Sequence, residues 1–476
     1  MVHPVRIRFA TNRFLKGLGA LGLALCLGVG QASTNEQTAN LSLSEARGLA
    51  VYALNNEQPE LALQVGRGLL QADARDPFAH YVMASAYAQM GRPADGRRAA
   101  ARAYRFAEPG PDRLRAGQLA AQMSYQEERP TLAQYWLRRT AIHAKSEEEL
   151  KLLARDYQAL RRQNPWSFSL RTDIRPSSNV NNGSESAANI IDGRPDGGTR
   201  PPSARALSGV IGAVDFSTSY RLRVNERSAT TLGARLYVSR VALSDSAKEK
   251  APGVSGSQFR STYAEVSIGH GFVVGDLKNR STANINFALG ESWYAGERNF
   301  QFARLSGERS WSLGEGRRLT LAGSGETRFN ARFRSNDANV FSLGAIYRFE
   351  LKNGDGFSLS AFVRDTSAET PNGTFNSATM RGTYRFDKPV GPARISASLG
   401  LGLSDYDAFL FTTNATIGLR PRRDETVFAD VTLFFEDYDY AGFAPTLKLR
   451  AERTKSNFSA FTSREFSVAL GIQSKF

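Results

Sequence analysis

The amino-acid sequence predicts a two-domain α + β protein, in which an N-terminal α-helical solenoid precedes a C-terminal antiparallel β-barrel that spans a membrane. Apolar residues recur with helical spacing before Asn164 and Pro165 and with a period of two after them. The composition changes at the same point, since 25 of the 29 phenylalanines follow it. We therefore expect a signal peptide over residues 1–32, a helical domain over 33–165 and a barrel over 166–476.

The N-terminus has the parts of an export signal. Its positive charges are Arg6, Arg8, Arg13 and Lys16, its apolar core covers residues 18–29, and Ala32 ends a run of small residues that suits cleavage. The alternative, a retained membrane helix, would need about 18 consecutive apolar residues. Leu25, before the single cysteine Cys26, is not the small residue that a lipoprotein signal requires. We expect cleavage after Ala32, which leaves a mature chain without thiol or disulfide chemistry.

The net charge of +15 is spread thinly along the chain. The signal contributes +4, residues 33–165 contribute +3 and residues 166–476 contribute +8. A nucleic acid is bound by a clustered basic face, so we expect no nucleic-acid partner. A mild excess of arginine and lysine suits a surface beside anionic lipopolysaccharide.

Residues 33–165 contain a repeat of about 34 residues, the period of tetratricopeptide helix pairs. In residues 77–110, Gly91 separates two helical segments, and small residues lie where paired helices would cross. The following repeat needs about three inserted residues, and residues 147–163 read as a capping helix. An unrelated helical bundle is the alternative. Stacked pairs form a concave groove for polypeptide, whose candidate lining residues are His80, Tyr87, Arg115 and Gln122; solvated helix positions are the alternative role for them.

Residues 166–476 alternate between apolar and small or polar side chains. In residues 393–404, for example, Ile395, Leu399 and Leu403 alternate with serine, glycine and arginine. Turn-like clusters separate such runs at residues 223–227, 276–280, 314–317, 352–356, 389–392 and 421–424. About 15 runs can be marked, so either one is not a strand or residues 166–174 lie outside the wall. We expect about 14 strands, with 16 as the next number.

The last strand separates a membrane barrel from a soluble β-sandwich, which also alternates. Phe466, Val468, Leu470 and Ile472 share one face, and the chain closes on Phe476. A terminal amphipathic strand that ends in an aromatic residue looks like the signal read by the barrel assembly machinery. We therefore expect a barrel in the cell outer membrane, with the helical domain in the periplasm.

No catalytic or cofactor-binding pattern is present in the sequence. The histidines His3, His80, His143 and His270 are scattered, and no nucleophile elbow, phosphate loop, metal-spaced histidine pair or cysteine cluster occurs. Residues 436–440 are acidic and aromatic and could hold calcium, although a solvated loop fits them better. We expect no enzyme activity, no cofactor and no metal.

Polar motifs lie near both ends of the barrel sequence. Pro176, Asn179 and Asn181 follow the first strand, and Gly442 to Pro445 precede Arg453, Ser456 and Asn457 near the end. Their order, with the export signal and the tetratricopeptide-like domain, resembles the surface lipoprotein assembly modifier (Slam) family. The motif residues in question are Asn179, Asn181, Arg453, Ser456 and Asn457. Turn capping is the alternative role for these asparagines and serines. Residues 183–202 and the lack of a tyrosine over 458–461 depart from the family pattern.

The resemblance implies an outer-membrane translocator that delivers partner lipoproteins, or related secreted haem- or metal-acquisition proteins, from the periplasm to the cell surface. Its implied partners are that lipoprotein or secreted β-protein, a periplasmic chaperone and the barrel assembly machinery. The alternative is a polysaccharide exporter or another porin-like outer-membrane channel, for which a wide, charged lumen is expected.

Overall fold

The computed structural model describes residues 41–276, 281–412, 417–438, 440 and 443–474. The predicted signal peptide and Phe476 lie outside the described residues. The chain divides into two compact units between Asn164 and Pro165. No helix in the described ranges combines the length and the hydropathy that crossing a membrane requires.

Seven helices make up the described part of the first unit, and each packs on the next one along the chain. They are α1 (Leu43–Asn55), α2 (Pro59–Ala72), α3 (Pro77–Gln89), α4 (Pro93–Phe106), α5 (Pro111–Gln126), α6 (Pro130–Ala141) and α7 (Glu147–Gln163). Proline is the first residue of α2 to α6, where its missing N–H costs nothing.

Three turns within this unit have the same geometry. Glu57, Gly91 and Glu128 have φ values of 57°, 67° and 58°. Each is followed by a helix cap with φ close to −107° and ψ close to 69°. The chain therefore repeats one helix–turn–helix unit over α1–α2, α3–α4 and α5–α6. The second interval is three residues longer than the first, as the sequence repeat predicts.

Small residues bring neighbouring helices close together. A Cβ atom on Gly117 of α5 would lie 2.1 Å from the hydroxyl oxygen of Thr140 in α6. A Cβ atom on Gly96 of α4 would lie 2.9 Å from the sulfur of Met123 in α5. Side chains of the neighbouring helices fill the space beside these glycines, which is the physical reason for the small residues in the repeat.

The second unit is a closed antiparallel barrel of 14 strands with a two-stranded hairpin. The strands of the described residues are β1 (Trp166–Ser177), β2 (Ala188–Ile191), β3 (Arg194–Thr199), β4 (Gly209–Val224), β5 (Ser228–Leu243), β6 (Ser261–Val273), β7 (Thr282–Tyr294), β8 (Glu297–Ser312), β9 (Arg318–Asn330), β10 (Ala338–Glu350), β11 (Gly356–Ala368), β12 (Phe375–Arg385), β13 (Arg394–Thr412), β14 (Ile417–Phe434), β15 (Phe443–Ser456) and β16 (Ser463–Ser474). A short helix, α8 (Asp245–Lys250), follows β5.

The wall closes where β1 pairs with both β16 and β4. Trp166 begins a wall strand, so the suggestion that residues 166–174 lie outside the wall is wrong. The predicted strand number of 14 is confirmed for the wall. The two remaining strands, β2 and β3, form a separate two-stranded sheet and bring the total among the described residues to 16.

The two faces of the wall differ as the alternation predicts. Outward-facing leucines are exposed: Leu343 is 63% and Leu399 is 60% exposed. Their chain neighbours Ser342 and Gly400 face the interior. This is a closed barrel with an apolar exterior and a polar interior, which is the form of bacterial outer-membrane barrels.

One predicted turn is wrong. Residues 421–424 lie inside β14, where Arg422 pairs with Tyr406 and Asp424 pairs with Ser456. Pro421 is tolerated there because β13 has a bulge between Tyr406 and Phe409, so the ladder does not need the N–H that proline lacks. Four of the other predicted clusters, at residues 223–227, 314–317, 352–356 and 389–392, coincide with connections between strands, and the cluster at 276–280 lies outside the described residues except for Asp276.

Candidate functional site

The ends of the barrel differ in the length of their connections. Residues 225–227, 313–317 and 351–355 are short turns at the end where Trp166 begins the wall. The opposite end carries longer segments, above all residues 178–208 between β1 and β4 and residues 244–260 between β5 and β6. We call residues 178–208 the mouth segment.

One side of the barrel interior carries a balanced set of charges, the β4–β9 network. It consists of Asp215, Arg235, Glu265, Arg304, Glu326 and Arg328. Arg235 binds both oxygens of Asp215 at 2.9 Å. Arg304 bridges Glu265 at 2.5 Å and Glu326 at 3.2 Å. Three carboxylates face three guanidinium groups, so this network is electrically neutral.

The facing part of the wall carries a second set, the Asp430 cluster. It consists of Arg381, Asp430, Lys448, Arg450 and Glu452. Asp430 is only 2% exposed and contacts all three cations, the nearest of which is Arg381 at 2.8 Å. A buried carboxylate is stable only when it is paired, and this one is paired three times.

Glycines on the interior face make room for aromatic rings of adjacent strands. A Cβ atom on Gly344 would lie 2.1 Å from the ring of Phe362, and one on Gly400 would lie 2.1 Å from the ring of Phe428. The guanidinium groups of Arg381 and Arg450 lie 5.7 Å and 5.2 Å from the ring of Phe428. The interior therefore contains ordered cation–π contacts beside its ion pairs.

The mouth segment is attached at its base to inward-facing residues of β4 and β5. Val180 and Leu207 pack with Ile211, Leu243 and α8 in one apolar cluster. The amide of Val180 donates to the carbonyl of Leu207 at 2.8 Å, which holds the two ends of the segment together. Register pairs Ile211 with Val241, so both side chains lie on the interior side of the wall.

The tip of the mouth segment lies against the other side of the ring. Ile191 packs with Phe409, Phe411 and Phe458, and all four are buried. Phe409 and Phe411 pair with Arg420 and Gly418 on the interior face of β14. Between its base and its tip the segment contacts β5, β4, β16, β14 and β13. Together with β1 and β15, which lie between them, these strands form half of the 14-stranded ring.

Ser459, in the loop between β15 and β16, bonds four residues of the mouth segment. Its hydroxyl donates to the carbonyl of Ala188 at 2.8 Å and accepts from the amide of Ile190 at 2.9 Å and from Arg200 at 3.0 Å. Its carbonyl accepts from the hydroxyl of Ser184. Ser459 was not predicted as a site residue, and its place two residues after the Ser456–Asn457 motif is the one sequence feature that indicates it.

The predicted motif residues meet at this end of the barrel, with one exception. Asn179 bonds the backbone of Gly183, and Asn181 bonds the carbonyl of Arg205 and the amide of Leu207, so both shape the base of the mouth segment. Asn457 donates to Asp192 at 2.9 Å and to the carbonyl of Pro421.

Ser456 and Arg453 complete that motif on β15. The hydroxyl of Ser456 accepts from the amide of Phe458, which caps the turn into the loop that carries Ser459. Arg453 pairs with Val427 and Arg464 on the outward face of β15 and takes no part in the mouth contacts.

The residues predicted as a barrel assembly signal share one face of β16. Phe466, Leu470 and Ile472 are exposed on the exterior, and Val468 lies between them. Their strand closes the ring against β1. Phe476, the last member of the predicted signal, lies outside the described residues.

The predicted peptide groove is wrong at His80. This side chain is 4% exposed, its Nε2 lies 3.1 Å from the carbonyl oxygen of Ala74, and its ring stacks on Phe106. Burial lowers the pKa of His80, so the ring stays neutral. Tyr87 is half-buried under Arg92, whereas Arg115 is exposed and pairs with Asp112. Gln122 is partly exposed on α5, the helix of Arg115.

Two further residue groups from the sequence have ordinary partners. His270 lies on the outward face of β6 with Thr230 as its neighbour at 2.9 Å. Glu436 pairs with Arg394. Within the described ranges, no three His, Cys, Asp or Glu side chains are grouped as metal ligands.

Neither the protein-family models nor the curated proteins contain a match to this sequence. By structure the chain is similar to OccAB3 of Acinetobacter baumannii, with 8% identity, a TM-score of 0.34, and coverage of 64% of this chain and 98% of that one. It is also similar to an outer membrane channel from Pseudomonas putida F1, with 13% identity, a TM-score of 0.32, and coverage of 64% of this chain and 94% of that one. A BenF-like porin from Pseudomonas fluorescens Pf-5 is similar with 10% identity, a TM-score of 0.34, and coverage of 65% of this chain and 98% of that one. At these values the similarities carry no information on what crosses the barrel.

Proposed function

We propose that this chain is an outer-membrane channel whose barrel conducts small hydrophilic solutes and whose mouth segment limits their size. The observation that carries the proposal is the attachment of the mouth segment to inward-facing residues over half of the ring. A segment held there narrows the passage. The charged interior supports the proposal because water and ions wet such a wall, whereas an apolar interior would exclude them.

The proposed orientation follows from the connections. Outer-membrane barrels place short turns in the periplasm and long loops outside the cell. The mouth segment would then face the exterior. The end at which Trp166 begins the wall would face the periplasm, where we also place the helical unit.

Conductance in planar lipid bilayers tests the proposal. Residues 185–205 are replaced by Gly-Ser-Gly, a change that the geometry permits because Ser184 and Ala206, which are kept, already bond each other across the base of the segment. We expect the single-channel conductance to rise several-fold. The matched control replaces residues 332–336, a loop at the same end that lies outside the contacts of the mouth segment. Absence of conductance from both the native protein and the shortened variant would refute the channel.

A second candidate is the protein translocator that the sequence resemblance implies. The repeated helix–turn–helix geometry supports it, because stacked helix pairs present surfaces that bind polypeptide. Tyr87, Arg115 and Gln122 remain candidates for such a surface. The partner would be a lipoprotein or a secreted β-protein, assisted by a periplasmic chaperone.

Deletion of residues 33–164, with the signal retained, separates these functions. A translocator should lose surface display of its partner protein, measured by protease accessibility on intact cells, while the barrel still inserts. A channel should keep its conductance. Loss of extracellular polysaccharide with intact protein display would instead indicate the exporter.

A further inference from the structure

Three cations surround a single buried carboxylate in the Asp430 cluster. Arg381 lies 2.8 Å from one oxygen of Asp430, and Lys448 and Arg450 each lie 3.3 Å from the other. Glu452 is the second carboxylate and pairs with Arg450. Three positive charges against two negative ones leave this cluster with one excess positive charge.

The excess charge is accessible from the lumen. The side chains of Lys448 and Arg381 are 41% and 38% exposed, whereas Asp430 beneath them is 2% exposed. The Asp430–Arg450 and Thr432–Lys448 pairs of β14 and β15 place both β15 cations on the interior face. A solute in the lumen therefore meets the cations before it meets the carboxylate.

Hydrogen-bond donors remain for a bound anion. An ammonium has three N–H donors, and Asp430 is the ion partner of Lys448 among the described residues. The Nε atom of Arg381 is buried and has no hydrogen-bond partner in the described part of the chain. Ser467, opposite Arg450 on β16, is 1% exposed, and its hydroxyl also has no partner there. The exposed ammonium of Lys448 and the exposed part of the Arg381 guanidinium can donate to the oxygens of a carboxylate or phosphate, whereas the Nε atom of Arg381 and the hydroxyl of Ser467 are too buried for a solute in the lumen to reach.

Other charges near the cluster do not cancel the excess. Adjacent β1 contributes Arg171, Asp173 and Arg175 to the interior face, and β16 contributes Glu465. These are two charges of each sign. The β4–β9 network on the facing wall is neutral, as described above. The two charged networks therefore differ by the one excess positive charge of the Asp430 cluster.

We propose that Arg381, Lys448 and Arg450, arranged around Asp430, form an anion subsite in the lumen, so that the channel prefers solutes bearing carboxylate or phosphate groups. The inference rests on the proposed channel function. The buried Asp430 fixes the positions of the cations without neutralising them all. The subsite is thus a stationary positive field beside the path of the solute.

Reversal potentials across a KCl gradient in planar bilayers test the subsite. Lys448→Gln removes one exposed charge and leaves Asp430 paired with both arginines, so folding is preserved. We expect the chloride-to-potassium permeability ratio to fall about two- to five-fold, the effect of one unit charge several ångströms from an ion in partly screened water. Asp430→Asn should raise the ratio. The matched control, Asp215→Asn with Arg235→Gln, removes one charge of each sign from the neutral wall and should leave the ratio unchanged.

The possible results separate the two proposals. A conducting protein whose ion selectivity is the same in Lys448→Gln and in the native chain overturns the subsite and leaves the channel standing. A protein that never conducts overturns the channel. The subsite is then tested directly by calorimetric titration of the detergent-solubilised protein with citrate and, separately, with inorganic phosphate. Binding that Lys448→Gln weakens several-fold supports the subsite, and equal heats for native protein and variant overturn it.

Discussion

Replacing Ser459 by alanine should release the tip of the mouth segment while leaving the barrel intact. The hydroxyl of Ser459 is saturated, with one bond donated to Ala188 and two accepted from Ile190 and Arg200. Ser459 is 8% exposed, so water does not readily replace these bonds. The substitution removes a hydroxyl without adding volume, and its effect should therefore be confined to the hold on the segment.

The free-energy cost of Ser459→Ala follows from the three hydrogen bonds that the hydroxyl makes. A neutral hydrogen bond contributes about 1 kcal/mol and a charge-assisted one about 2 kcal/mol, but Arg200 is partly exposed and recovers part of its bond from water. The substitution should therefore destabilise the attached state of the mouth segment by about 3 kcal/mol relative to its open state. At about 1.4 kcal/mol for each factor of ten, the open state of the segment should become roughly 100-fold more populated.

Hydrogen–deuterium exchange of the purified protein measures this opening. Protection of the amides in residues 186–192 should fall by about two orders of magnitude in Ser459→Ala, while the amides of β6 to β11 keep their protection. Ser257→Ala is the matched control, because Ser257 is an exposed serine at the same end whose hydroxyl, within the described ranges, bonds only Ser255. Equal protection of residues 186–192 in Ser459→Ala and in the native protein would refute the proposed role of Ser459.

Three further predictions concern the stability of the two units. Gly344→Ala should destabilise the barrel by about 1–3 kcal/mol, because its Cβ atom would overlap the ring of Phe362. In the control Gly402→Ala, the added Cβ atom would lie 3.5 Å from its nearest atom and should be tolerated. Heat-modifiable migration in gels compares the stability of the two variant barrels. The next prediction concerns residues 41–164 expressed alone, where Glu128 and Gly91 both have positive φ, a conformation that favours glycine. Glu128→Gly should raise the free energy of unfolding of this fragment by about 0.5–1 kcal/mol, and Gly91→Ala should lower it by a similar amount. Melting curves followed by circular dichroism test whether the two substitutions have these opposite effects. The same fragment should lose stability as the pH falls through about 6.5, because burial lowers the pKa of His80 and of His143, so that the unfolded state binds protons that the folded state does not. His80→Gln should reduce this pH dependence, and a melting temperature independent of pH from 7.5 to 5.5 would contradict it.

Part of the candidate site was visible in the sequence. Asn179, Asn181, Ser456 and Asn457 were identified by their motifs, and the structure brings them to one end of the barrel. The Asp430 cluster and Ser459 were not identified, because their meaning depends on partners in other strands. Asp430 and Arg381 are 49 residues apart, and Ser184 and Ser459 are 275 residues apart. His80 was assigned to a surface because helical spacing gives a face without saying which neighbouring helix covers it.

The sequence by itself determined the two periods, the boundary near Asn164 and Pro165 and the repeat of about 34 residues, and it indicated about 14 strands. These are local properties, since the burial of one face of a helix or strand imposes its period on residues that are close in the chain. The tertiary structure alone decided that Pro421 lies within a strand opposite a bulge, that the mouth segment crosses to inward-facing residues of β13 and β14, and that three cations share Asp430. Such pairings depend on where the ring closes, and closure of β1 on β16 joins residues nearly 300 positions apart. Periodicity within a strand does not record its neighbours in the barrel, so these contacts become readable only when the whole wall has formed.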